Sequence, residues 1–101
     1  MRYSAVVLVL VLVLAAGCAS SGGDDAIARA VCGDFRDVAR DHAVMTDADM
    51  VEAAQEIDRR AQMVDDPQLA EAARGYAAAT VNGTLTPSDV NALGEACEAH
   101  R

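Results

Sequence analysis

Residues 46–67 read TDADMVEAAQEIDRRAQMVDDP, and the fold class follows from their spacing. Met50, Ala54, Ile57, Ala61 and Val64 recur at steps of four and three, which lines apolar side chains along one face of an α-helix. Thr46 stands ahead of them as an N-cap, with Asp47 and Asp49 in the first turn, where acids meet the positive end of the helix dipole. Glu56 and Arg60 fall on the predicted outer face at the favourable i, i+4 spacing. The stretch closes on Asp65-Asp66-Pro67. Asp66 suits a cap, and proline suits the first position of a helix, where its missing N–H is no loss.

Working toward the carboxyl end, Leu69, Ala73, Tyr76 and Thr80 form the next stripe, and Asn82-Gly83 offers a left-handed stop. Thr86-Pro87-Ser88-Asp89 repeats the arrangement of cap, proline and acid, followed by Val90, Leu93 and Cys97 on one face. Gly94 inside this helix weakens it by about 1 kcal/mol and predicts close packing there. Toward the amino end, the spacing predicts a helix from about Asp25 to Met45, with Ile27, Val31, Phe35, Val38 and His42 facing inward. Ala28, Cys32 and Ala39 lie beside that face, and Arg36 and Arg40 point away from it. No alternating run bounded by hairpin turns occurs in residues 26–101. The fold class is therefore all-α, four helices forming a compact bundle or a related orthogonal array.

Composition limits what such a domain can be. The chain has 101 residues, and the first 17 hold 14 of its 53 hydrophobic ones. Of the 39 hydrophobic residues from Cys18 onward, 19 are alanine, so the core is thin. The length allows one domain, near the size at which a hydrophobic core alone suffices. Formal net charge is −8, and beyond residue 17 there are 7 arginines against 16 acids, which makes nucleic acid and bare anionic lipid poor partners.

The apolar excess lies at the amino end. Residues 5–16 are an unbroken apolar run of 12, about 18 Å as helix against a hydrocarbon core of about 30 Å. Such a run after Met1-Arg2 reads as a signal-peptide core. Leu14-Ala15-Ala16-Gly17-Cys18 follows, small residues ahead of a cysteine, and this stretch resembles a bacterial lipobox. It departs from the commonest form in carrying Ala15, rather than leucine, three places before the cysteine. The resemblance implies diacylglycerol on the Cys18 thiol, cleavage just before it and acylation of the new amino terminus. Two or more acyl chains give stable anchoring where one does not.

On that reading, residues 1–17 are a lipoprotein signal peptide, 18–25 a lipidated flexible tether rich in Ser, Gly and Asp, and 26–101 the helical domain. The membrane is then a partner through Cys18, at the extracytoplasmic face of the cell membrane. The whole format is similar to small lipoproteins of actinobacteria. The absence of lysine beside eight arginines fits the GC-rich genomes of that group.

Two cysteines remain. Cys32 lies on the predicted buried side of the first helix and Cys97 on that of the last, in a chain sent to an oxidising compartment. A Cys32–Cys97 disulfide is predicted, worth about 4 kcal/mol for a loop of this length in the chain-entropy account.

Catalytic motifs are lacking. His42 ends the first helix, where a cation suits the dipole, and His100 is penultimate; neither has a nucleophile placed beside it by a local motif. The acids at 47, 49 and 52 lack the glycine and the distal glutamate of a calcium loop. No enzyme, no metal and no resident cofactor is expected. Asp34, Asp37 and Asp41 make an acidic stripe interleaved with Arg36 and Arg40, either a solvated face or a docking face for a basic envelope protein. Tyr76 and His42, with Met45, Met50 and Met63, are candidates to line an apolar pocket between helices. In format the domain is also similar to small secreted haem-carrier domains of mycobacteria, although methionine at helical spacing is more often core. The function expected from the sequence is a non-catalytic interaction module of the cell envelope, with a carrier of an apolar small ligand or haem as the alternative.

Overall fold

Thr46, Asp66 and Thr86 set where three of the helices begin. Thr46 Oγ1 accepts the amide of Asp49 at 3.1 Å, and Asp66 Oδ1 accepts those of Gln68 and Leu69 at 3.1 and 3.2 Å. Thr86 and Asp89 exchange side-chain to backbone bonds in a full capping box. The computed structural model describes residues 24–101, and within them the helices are α1 over 24–41, α2 over Asp47–Ala61, α3 over Pro67–Asn82 and α4 over Pro87–Glu98. No strand occurs among the described residues. Gly83, at φ 69°, ends α3 in the left-handed conformation. Its amide and that of Thr84 return to the carbonyls of Thr80 and Ala79.

The first helix is shorter at its far end than the spacing predicts. It stops at residue 41 and tightens into a 3-10 turn, His42–Val44, before Met45 becomes extended. His42 Nδ1 donates to the Ala39 carbonyl at 2.9 Å, so the imidazole satisfies one of the open carbonyls of the helix end. His42, placed beyond the helix, is exposed, and so is Ala39 within its last turn, although the spacing set both on or beside the inward face. At the near end, helix already covers 24 and 25, which composition assigns to the tether, and Asp25 pairs with Arg29 one turn on at 2.9 Å.

The helices pack as the all-α reading requires. Asp66, heading α3, meets His100, just past α4, so these two helices run in opposite directions. Arg60, near the end of α2, reaches Asp34 in α1 at 2.8 Å. Cys32 and Cys97 form a disulfide with Cα atoms 5.7 Å apart, tying the middle of α1 to the end of α4. Ile57, Leu69, Leu93 and Val31 are fully buried, and six alanines fill the space between them in the same cluster. Phe35 and Tyr76 meet edge to face with ring centroids 5.5 Å apart. Gly94 departs from expectation: a Cβ there would touch Phe35 at 4.0 Å, an ordinary contact, so close packing does not require this glycine.

No helix among the described residues is long and apolar enough to cross a membrane. The apolar run, the signal peptide, Cys18 and most of the tether lie outside the described residues.

Candidate functional site

One end of the bundle carries an apolar cleft of about 220 Å³. Phe35, Val38, Ala39 and His42 come to it from the end of α1, and Met50 from the start of α2. Tyr76 of α3, Leu85 of the α3–α4 loop and Val90 of α4 complete it. The cleft exists because two helix starts meet there. Met45 and Met50 stand at the N′ and N4 positions around the cap Thr46, and Leu85 and Val90 hold the same positions around Thr86. Apolar residues so placed fold the incoming chain back over the first turn. Both loops thereby present apolar side chains beside the end of α1.

Tyr76 is 3% exposed, and its phenol is pushed up from the usual range by burial alone. His42 has Nδ1 occupied by the Ala39 carbonyl, which leaves Nε2 as the nitrogen without its proton when the ring is neutral. The structure thus brings together Tyr76, His42 and Met50 of the predicted pocket. It does not bring Met63, which is 57% exposed, and Met45 packs half-buried against the core without lining the cleft. Leu85 and Val90 were not among the candidates, although the staple spacing around Thr86 is the signal that marks them. The volume lies below the roughly 300–1,000 Å³ of ordinary small-molecule pockets.

The acidic stripe of α1 is engaged by arginines. Asp34 is held by Arg60 at 2.8 Å, Asp37 lies 3.4 Å from Arg40, and Asp41 takes two bonds from Arg40 at 3.0 and 3.2 Å. The hydrogen bond from Arg40 holds the Asp41 carboxyl below its usual range. Glu56 joins the same network through Arg59 and Arg60. A stripe already interleaved with cations presents less net field to a basic partner than three free aspartates would.

At the opposite end, His100 Nε2 lies 2.6 Å from Asp66 Oδ2, with both side chains mostly covered. The bond to His100, then the amides of Leu69 and Gln68, lower the Asp66 carboxyl against the opposing cost of burial. Among the described residues no group of His, Cys, Asp and Glu has the arrangement of a metal site. Compared with family models, curated proteins and solved structures, the chain finds no match in any of the three.

Proposed function

We propose that the protein is a lipid-anchored, extracytoplasmic interaction module of the cell envelope, without catalysis of its own. The observation that carries this reading is the Cys32–Cys97 disulfide. Such a bond persists in an oxidising compartment, and with Cys32 and Cys97 paired the third cysteine of the sequence is Cys18, at the end of the lipobox-like stretch. The tether of small residues then connects lipid to a domain whose acids outnumber its arginines, so the domain stands off an anionic surface.

Mass spectrometry of the chain extracted from its own membrane tests the anchor. The expected mass lacks residues 1–17, carries the lipid on Cys18 and lacks two hydrogens for the disulfide. An unprocessed or unlipidated chain overturns the anchor. Chemical cross-linking in the same membrane tests the module, which requires a specific protein neighbour.

The cleft supports a second reading, a carrier of a small apolar ligand touched by Tyr76 and His42. Its volume favours something smaller than haem, which enters only if the helices part. A Soret band appearing on titration with haem and lost in Tyr76→Phe would establish the larger ligand.

A further inference from the structure

The apolar cleft does not stand alone, because two recesses flank it and share residues with it. On one side a recess holding Asp47 shares Met50 and Leu85 with the cleft. On the other a groove between α3 and α4 shares Tyr76 with it and holds Glu71, Asp89 and Glu95. Among the described residues, acids are the only charged ones lining either recess. Most arginines are committed elsewhere: Arg29 to Asp25, Arg40 to Asp37 and Asp41, Arg59 and Arg60 to Glu56, Arg74 to Gln62, and Arg101 to Glu98. The result is an apolar slot with negative charge on two sides.

Size selects the kind of occupant. A volume of about 220 Å³ lies below the roughly 300–1,000 Å³ of ordinary small-molecule pockets. It matches the small desolvated pockets that take one anchoring side chain at a protein interface, where aromatic anchors dominate. Tyr76 offers a second contact, since it lines both the cleft and the neighbouring groove.

Position selects the direction of approach. Residue 24 and His42 bracket the 18 residues of α1, so about 27 Å of helix separates the tethered end of the domain from the cleft. The cleft opens at the end away from the amino-terminal tether.

We propose that this cleft docks a basic peptide segment of a partner protein, one large apolar side chain entering between Tyr76, Met50 and Val90 while flanking lysines or arginines meet Asp47 on one side and Glu71 and Glu95 on the other. The proposal rests on the interaction-module reading and names the surface and the partner chemistry that it uses.

The chain has no tryptophan, so tryptophan emission reports a peptide probe alone. The probe is a synthetic peptide with one tryptophan between two pairs of lysines, added to the full chain in phosphatidylcholine nanodiscs, with empty nanodiscs subtracted. The expected result is a saturable blue shift of the emission. Filling the cleft from the exposed Ala39 with Ala39→Phe abolishes that shift. Combining Asp47→Asn, Glu71→Gln and Glu95→Gln weakens binding at least tenfold, as does 0.5 M salt, and a peptide with glutamates in place of lysines does not bind.

No saturable shift, a shift indifferent to Ala39→Phe, or equal binding of the glutamate peptide overturns the proposal. Far-UV circular dichroism and the intact disulfide confirm that each variant is folded. The two readings fail separately. A cross-linked envelope neighbour that survives Ala39→Phe sinks the cleft and leaves the module, whereas no neighbour at all sinks the module.

Discussion

The two ends of the bundle are held by different means. At one end the Cys32–Cys97 disulfide, the Asp66 cap and the Asp66–His100 contact lock α1, α3 and α4 together through bonds with defined partners. At the other, two loops fold apolar residues over the ends of α1 and α3 and leave a cleft among them. The clasped end spends specific chemistry on holding the fold. The cleft end carries apolar surface that the fold leaves uncovered, including Val44, which is 86% exposed. In a domain with few large core residues, this division lets one end stay open because the other is fixed.

Breaking the clasp has the largest expected effect. Replacing both Cys32 and Cys97 with alanine lowers stability by about 4 kcal/mol, read from urea unfolding, because the unfolded chain regains the entropy that the cross-link removed. A loss below about 1 kcal/mol would mean that the alanine-rich core holds the fold without it. Next comes the cap: Asp66→Ala removes the acceptor for Gln68 and Leu69 and costs about 1 kcal/mol.

The charge of Asp66 adds a pH dependence. Its carboxyl is lowered in the folded protein, so the stabilisation is fully present above the ordinary carboxylate range, about pH 3.9, and is lost as pH falls through the lower folded value. Asp66→Asn keeps most of the capping and flattens the acid limb of a stability-against-pH curve. An unchanged acid limb would assign that dependence to other carboxylates.

A gain of similar size to the cap loss is expected near the middle of α4. Gly94→Ala stabilises by up to about 1 kcal/mol, since the added Cβ meets Phe35 at an ordinary distance and the helix loses its most flexible residue. A lowered melting temperature would show that Phe35 cannot accommodate the methyl group. The smallest effect is at the cleft, where Ala39→Phe changes stability by no more than about 0.5 kcal/mol, as for an exposed position outside the core. A large loss there would place the cleft within the fold's structural core and dissolve the contrast between the two ends.

Much of the fold is legible in short-range chemistry. The caps at Thr46, Asp66 and Thr86 and the stop at Gly83 each depend on a side chain or a backbone freedom that acts within four residues, so their positions follow from the residues alone. The pairing of Cys32 with Cys97 follows because the apolar spacing sets both on the inward faces of their helices. The end of α1 was less legible. His42 fits the apolar period, yet in the structure its ring bonds the Ala39 carbonyl at the helix end, a contact that periodicity does not register. Leu85 is invisible to periodicity because it sits in a loop, where only its place before a cap marks it.

The helices, the caps that start α2, α3 and α4, the disulfide partners and the acidic balance of the domain can be read from the residues, because each follows from local bonding, helical spacing or composition. What had to await packing is that Arg60 of α2 holds Asp34 of that stripe, that Asp66 meets His100, and that Tyr76, His42 and Met50 share a cleft flanked by acids. Those are contacts between helices, fixed by the rotation and offset at which alanine-lined faces pack, and a repeat spacing along one helix carries no information about the neighbour it will meet.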